Sequence, residues 1–306
     1  MKIAILIPCY NEELTIKKVI EDFRRELPEA DIYVYDNNSK DNTAGLAEEA
    51  GAIVKKEYRQ GKGNVVRSMF MDIDADYYIM TDGDDTYPAE FAHKLLAPII
   101  TGEADMVIGD RLSNGTYKNE NKRAFHNLGN VMVRWFINTL FKSKINDIMT
   151  GYRAFSKTFV KSMPVLSAGF EIETEMSIHA LDKRFLIKEL PIDYRDRPVG
   201  SFSKLNTFTD GIRVMKTILM LFKDYKPLIF FSLWALLFLI LGLITGIPVI
   251  IQFFETQLVP KLPSAVLAVG LVLLSTLSLI CGLILDTIVQ QNRRLYELYL
   301  YRIKQS

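Results

Sequence analysis

Residues 76–88 read DYYIMTDGDDTYP. The first six form a short, β-rich, mostly apolar run. The next positions crowd Asp82, Asp84 and Asp85 together around Gly83. Three carboxylates that close repel one another, so the cluster either holds a cation or lies in water as an Asp-Gly turn. Asp82 and Asp84 stand one residue apart, with a glycine between them that permits a sharp bend. Two such carboxylates can share a hard divalent ion, Mg²⁺ or Mn²⁺, which keeps several waters and also binds phosphate oxygens. Alone, Asp-x-Asp arises often by chance. What lies on either side of it decides.

Similar runs occur at 2–8 (KIAILIP), 31–36 (DIYVYD) and 104–110 (ADMVIGD), with helix-like stretches at 12–26, 43–50, 63–73 and 89–100. Strands alternating with helices predict an α/β fold built on a mainly parallel, Rossmann-like sheet covered on both faces. In such sheets ligands bind beyond the carboxyl ends of the strands. The unusual polar residues fall there: PCYNEE after the first run, DNNSKDNT after the second and TDGDDTYP after the run at 76–81. Within DNNSKDNT, Asp36 can accept hydrogen bonds from a base or ribose, and Asn38 lies beside it, while Asp41 and Thr43 have the spacing of turn and capping residues. GKGN at 61–64 opens a helix, where glycines let a backbone approach a ligand and Lys62 adds charge near a phosphate. No Gly-x-Gly-x-x-Gly follows the first strand, which argues against a dinucleotide oxidoreductase.

Further along, RLSNGTYKNENK at 111–122 is polar and turn-rich, helical patterns follow at 125–141 and 171–183, and IKELPIDYRDR at 187–197 reads as a strand leading into PVGSFSKLN. Residues 205–225 alternate apolar positions (Phe208, Ile212, Met215, Ile218, Leu219, Phe222) with Arg213, Lys216 and Lys223, the pattern of a helix lying in a membrane interface. Pro227–Phe254 and Leu262–Leu285 carry no charged residue. Each is long enough, as a helix, to cross a hydrocarbon core of about 30 Å. Arg213, Lys216, Lys223 and Lys226 precede the first, Arg293, Arg294, Arg302 and Lys304 follow the second, and the loop between them offers only Lys261. This distribution predicts both termini and the catalytic portion on the cytoplasmic side. MKIAILIPCYNEE lacks the long apolar core and small-residue cleavage site of a secretory signal. The expected organisation is a catalytic domain at 1–204, an amphipathic segment at 205–226, two spans within 227–289 and a basic tail at 290–306. Net charge of +1 gives no reason to propose nucleic acid as a partner. Cys9 and Cys281 propose neither a disulfide nor a metal site, and His93, His126 and His179 lack metal spacing.

IPCYNEE, DNNSKDNT, GKGNVVRS, TDGDDTYP, GDR, TGYRAF and RPVGSFSKLN occur in the order and approximate spacing of the family 2 glycosyltransferases. The chain resembles most the polyprenyl-phosphate glycosyltransferases, the dolichyl-phosphate mannose synthase-like branch, over roughly residues 1–205. Its two spans are similar to the bacterial or archaeal form that makes polyprenyl-phosphate glucose and related lipids. That resemblance implies a GT-A fold in a multi-pass protein of a bacterial or archaeal cell membrane. It implies transfer of a hexose from a nucleotide sugar, a UDP-sugar such as UDP-glucose, to polyprenyl or dolichyl phosphate. Pro8, Tyr10, Glu12, Asp36, Asn38, Lys62 and Gly83 would hold the nucleotide sugar. Asp82 and Asp84 would bind the metal and diphosphate, with Thr86 standing where the mannose synthases have a glutamine. Arg111, Arg123, Arg153, Arg197, Ser203 and Lys204 would meet the acceptor phosphate or leaving diphosphate, Arg111 and Arg197 matching the family motifs best.

A phosphate acceptor is largely dianionic at neutral pH and needs no strong general base. The expected chemistry is therefore single displacement with inversion. Glu171, Glu173 and Glu175 lie near a family acid position and stay outside the core expectation, as does Asp286, at the end of the second span. Two rivals stand beside this reading. A processive polysaccharide synthase would carry Gln-x-x-Arg-Trp after the catalytic core, whereas VMVRW at 131–135 has Val131 in place of the glutamine and comes early. A non-catalytic nucleotide-binding scaffold would not need the intact aspartates, Lys204 and arginines. Self-association of lone spans is left open.

Overall fold

The computed structural model describes residues 1–113, 124–198 and 219–305, and the side chains of these except at 124–130 and 304–305. Arg123, Ser203, Lys204, the loop at 114–122 and most of the amphipathic segment at 205–225 lie outside the described residues, as does the side chain of His126. The chain divides into two compact units, Met1–Val214 with Tyr299–Ser306, and Met215–Leu298.

The first unit is built on a seven-stranded sheet: β1 (Ile3–Cys9), β2 (Asp31–Asp36), β3 (Ile53–Lys56), β4 (Tyr77–Met80), β5 (Met106–Asp110), β6 (Arg153–Ser156) and β7 (Ile187–Pro191). Their order is β3-β2-β1-β4-β6-β5-β7. Strand β1 reads as a nearly unbroken apolar run because both faces are covered, and Ile3 to Ile7 are at most 2% exposed. Pairing is parallel except at β6, which runs antiparallel to both β4 and β5. The parallel alternation predicted from sequence therefore holds for six strands, and β6 is an insertion the apolar pattern does not announce. Edge strand β3 also escapes that pattern, since three of its four residues are exposed. The strand expected across 187–197 stops at Pro191.

Helices α1 (Ile16–Glu26), α2 (Thr43–Glu49), α3 (Lys62–Asp72), α4 (Ala92–Ile100), α5 (Ala124–Phe141), α6 (Lys157–Ser162) and α7 (Ile172–Asp182) connect the strands. Helix α1 packs Ile16, Val19, Ile20 and Phe23 onto β1 and β2, the i, i+3, i+4, i+7 spacing of one buried face. Strand β1 has β2 on one side and β4 on the other, so the strand order reverses there. A crevice opens at such a point, outside the carboxyl ends of the strands. The ends of β1, β2, β4, β5 and β7 and the start of β6 all meet that edge, and the polar clusters that follow β1, β2 and β4 are delivered to it.

The second unit holds α8 (Pro227–Thr256) and, as far as Leu298, α9 (Leu262–Gln305). Both are long and apolar enough to cross a membrane, and their most apolar windows are only 11% and 17% buried, whereas a core helix of a soluble protein would be mostly covered. Helix α9 runs unbroken for 44 residues, so the expected tail at 290–306 is helical through Gln305. The two helices approach through small residues. A Cβ on Gly242 would stand 3.1 Å from Val272 Cγ2, and one on Gly246 3.2 Å from Ala268 Cβ. Ser275 Oγ donates across to the Ala235 carbonyl at 2.7 Å. On α9, Gln290 Nε2 donates to Asp286 at 2.7 Å.

Candidate active site

Loops after β1 and β2 interlock through side chain to main chain hydrogen bonds. Asn11 N donates to Ser39 Oγ (2.9 Å), Lys40 N to Asn11 Oδ1 (2.8 Å), Glu12 N to Thr43 Oγ1 (2.8 Å) and Asn42 N to Glu13 Oε2 (3.0 Å). Asn11 and Asn38 hold φ at 54° and 62°, a region asparagine tolerates because its short amide bonds locally. Asp36 is 4% exposed and accepts from Ser39 N at 3.2 Å, which fixes its carboxylate at the end of β2. Pro8 ends the buried run of β1 in register with Tyr35, and Tyr10 follows at the partly exposed edge. Pro8, Tyr10, Glu12, Asp36 and Asn38 are thus brought to one edge.

Beyond β4 the aspartates of the opening motif separate in role. Asp84 is 3% exposed. Its Oδ1 accepts from Thr86 Oγ1 at 2.6 Å and its Oδ2 pairs with Arg197 at 2.5 Å. Burial and the neighbouring Asp82 charge push its carboxyl above the usual range, against Arg197 and Thr86. Asp82 Oδ1 pairs with Lys62 Nζ at 2.5 Å, and the same ammonium meets Glu173 Oε1 at 2.5 Å. Burial alone would lower the Lys62 pKa, but Asp82 and Glu173 outweigh it and hold it above its ordinary value. Asp85 turns away, with φ at 60°, and pairs with Lys18 at 2.7 Å. Gly83 is required by packing: a Cβ there would lie 2.7 Å from Cys9 Sγ, and its carbonyl accepts from Thr15 Oγ1 at 2.6 Å.

Three expectations are corrected. First, the glycines of GKGN meet protein instead of leaving room for a ligand. A Cβ on Gly61 would stand 2.1 Å from the Ala168 carbonyl oxygen and one on Gly63 2.0 Å from that of Ser167. Gly63 N donates to the carbonyls of Ala168 and Gly169 at 3.1 Å, so the start of α3 is closed by the segment before α7. Only the Lys62 side chain reaches the site.

Second, Arg153 does not present its charge to the crevice. It is fully buried, its guanidinium donates to the Thr150 carbonyl (3.0 Å), the Ile148 carbonyl (2.5 Å) and Ser177 Oγ (3.0 Å), and burial pulls its pKa down to about 10. Third, Arg111 spends its fork on Asp147, with Nε at 2.7 Å and Nη2 at 2.9 Å, and lies over the rings of Tyr87 and Tyr194. Tyr87 Oη accepts from Arg111 Nη1 at 3.3 Å and from Gly151 N at 3.0 Å. A Cβ on Gly151 would stand 2.7 Å from Asp82 Oδ2. Arg111 therefore reaches the aspartates through Tyr87 and the 150–151 backbone.

Sequence reasoning named Glu173 but kept it outside the core expectation. It is 5% exposed on α7, yet it faces Lys62. Its neighbour Glu175 instead accepts from Leu166 N (3.0 Å) and Ser167 N (2.9 Å) and pins the segment that closes α3. No local pattern in the sequence announces the pairing of Glu173 with Lys62, which lie on separate helices. His93 meets the Glu26 carbonyl at 2.6 Å, and buried His179, its pKa pulled down to about 4 by burial, packs on Phe159 and Phe185. Neither Cys9 nor Cys281 forms a disulfide.

The donor set fits a hard divalent ion in chemistry: two carboxylates at the crevice, each already matched by a cation. Among the described residues no group of three or more His, Cys, Asp or Glu side chains could hold a metal. An ion on Asp82 and Asp84 would complete its shell with phosphate oxygens and water, as Mg²⁺ and Mn²⁺ do at nucleotide sites.

Comparison with known proteins bears on the family and the fold. The chain is 37% identical over 234 residues to the glycosyltransferase AglJ of Haloferax volcanii, covering 75% of each chain. It is 29% identical over 216 residues to a dolichyl-phosphate hexose transferase of the same organism, covering 71% of this chain and 92% of that one. A glucosyl-3-phosphoglycerate synthase from Mycobacterium tuberculosis, solved with Mn²⁺, UDP and glucosyl-3-phosphoglycerate, superposes with a TM-score of 0.55 at 22% identity, over 72% of this chain and 79% of that one. That likeness shows the fold, GT-A. The model of "Glycosyl transferase family 2" matches residues 4–162, more than half the chain, and with AglJ it places this protein in that family of glycosyltransferases.

Proposed function

We propose that the protein moves a hexosyl group from a nucleotide sugar, a UDP-sugar such as UDP-glucose, to polyprenyl or dolichyl phosphate in a prokaryotic cell membrane. One combination carries the reading. A cation-matched aspartate pair stands at the crevice of a glycosyltransferase sheet, in a chain that also holds two helices of membrane length. Relatives named for dolichyl phosphate support the acceptor class. A polyprenyl chain stays in the bilayer, so its enzyme must work at the surface. The flanking basic residues support a catalytic unit on the cytoplasmic side.

In this reading Pro8, Tyr10, Glu12, Asp36 and Asn38 seat the nucleoside, and Lys62, Gly83 and the aspartates its diphosphate. Asp82 and Asp84 would hold Mg²⁺ or Mn²⁺, which when bound neutralises diphosphate charge. Arg197 is buried enough that Asp84, with Glu12, must hold its charge against desolvation, and it stands where an incoming phosphate can replace Asp84 as partner. Arg123, Ser203 and Lys204 would complete the acceptor side. The acceptor's phosphate oxygen forms a bond to the anomeric carbon, and the bond from that carbon to the diphosphate breaks with its electron pair leaving on the nucleoside diphosphate. A dianionic acceptor needs no proton removed, so the anomeric configuration inverts and no glycosyl-enzyme forms.

The test incubates purified protein with radiolabelled nucleotide sugars and polyprenyl phosphate, with and without EDTA. A labelled lipid monophosphate that disappears with chelator is expected. Long polymer would assign a processive synthase, and tight nucleotide binding without transfer would assign a scaffold.

A further inference from the structure

Lys62 stands out among the cations of the described residues. Its ammonium is buried between two carboxylates on different elements, Asp82 after β4 and Glu173 on α7, both at 2.5 Å. Glu173 is itself buried and too deep to be a solvated helix charge, its side chain 6% exposed. On the other aspartate, Arg197 occupies Asp84 Oδ2 at 2.5 Å. Without ligands, each member of the metal-binding pair already has a protein cation. An incoming divalent ion must take Asp82 from Lys62. A buried ammonium that loses its only carboxylate is strongly disfavoured, because desolvation is no longer offset. A second carboxylate that stays behind removes that penalty.

We propose that Glu173 is a positioning residue that lets the aspartate pair exchange cations: it retains Lys62 when a divalent ion takes Asp82. This rests on the metal-binding role given to Asp82 and Asp84 above, and goes beyond it by assigning a function to a residue of α7 outside that pair. Lys62 acts as a resident cation that competes with the ion for Asp82. Glu173 sets how much that competition costs. The two side chains therefore act with opposite sign on ion binding. Removing Lys62 frees Asp82 and favours the ion. Removing Glu173 ties Lys62 to Asp82 and disfavours it. With Lys62 absent, Glu173 has no cation to retain, and its removal matters little. The neighbouring buried Arg153 also feels Glu173, but its donors are spent on Thr150, Ile148 and Ser177, so it cannot take over Asp82.

The test is a double-mutant cycle on Mn²⁺ binding, followed by electron paramagnetic resonance of the free ion with full-length protein in detergent and saturating UDP, without sugar or lipid acceptor. Relative to wild type, Lys62→Met is expected to bind Mn²⁺ at least fivefold tighter, and Glu173→Gln at least tenfold weaker. In the Lys62→Met background, Glu173→Gln is expected to change binding by less than twofold. Glu173→Asp, which keeps the charge, recovers most of the loss. A merely structural role for Glu173 would weaken binding equally in both backgrounds, and that result overturns the proposal, as does Mn²⁺ binding unaffected by Glu173→Gln. Should Glu173→Gln not fold, Lys62→Met alone decides: tighter binding supports the exchange, and equal or weaker binding overturns it. Because the readout needs no transfer, the cycle can succeed while the lipid-acceptor reading fails, and the reverse.

Discussion

Two ends of the same sheet edge carry buried charge and use it differently. At β5 and β6, Arg111 is locked by both oxygens of Asp147 and Arg153 by main-chain carbonyls, all within the protein. At β4, Asp82 and Asp84 are matched by Lys62 and Arg197 through side-chain ion pairs, which in the proposed function a phosphate or an ion replaces. Arginine looks equally functional at either end in the sequence. The number of fixed partners separates a scaffold from an exchangeable site, since a guanidinium with every donor satisfied internally gains nothing from an incoming phosphate.

The comparison breaks most sharply at Asp84. Asp84→Ala is expected to lower turnover about a thousandfold, roughly 4 kcal/mol of transition-state stabilisation, while the unfolding midpoint falls by far less than that loss. Steady-state transfer assays beside thermal melts check both halves. The contrary pattern is expected for Arg153→Leu. Its removal strands buried carbonyls and should destabilise the first unit by about 3 kcal/mol, read as a lower denaturation midpoint, with kcat of the remaining folded enzyme little changed. Full stability with lost turnover would return Arg153 to the acceptor site.

The smallest effect is one of pH. Burial pushes the Asp147 carboxyl up, but Arg111 outweighs it and holds it below the ordinary range. A depressed carboxyl stabilises the fold above the unfolded value of about 3.9 and loses that contribution as pH falls through the folded value. Wild type should therefore exceed Asp147→Asn in denaturation midpoint at pH 7, and the gap should narrow below about pH 4. A gap independent of pH would mean that the pair contributes through shape alone.

Much of the fold was legible because strands covered on both faces must be apolar throughout. The runs at 2–8, 31–36, 76–81 and 104–110 became β1, β2, β4 and β5, and the uncharged stretches became α8 and α9. Strand β6 was not legible, since RAFS begins with an arginine that only burial explains. Nor was β3, whose exposed edge needs no apolar pattern. Helix α1 begins at Ile16, four residues later than expected, because 12–15 form the turn that ties the first loop to the second.

Sequence alone determined which chemistry is available: a pair of aspartates after a buried strand, polar loops gathered at one sheet edge, and two helices too apolar for water. Those features are local, set by residue type and period. Tertiary structure decided who faces whom. It closed the GKGN glycines against Ser167 and Ala168, turned Arg111 and Arg153 inward, and brought Glu173 from α7 to Lys62. Charge pairing across distant segments depends on how the helices pack on the sheet, and no periodicity along the chain encodes that distance.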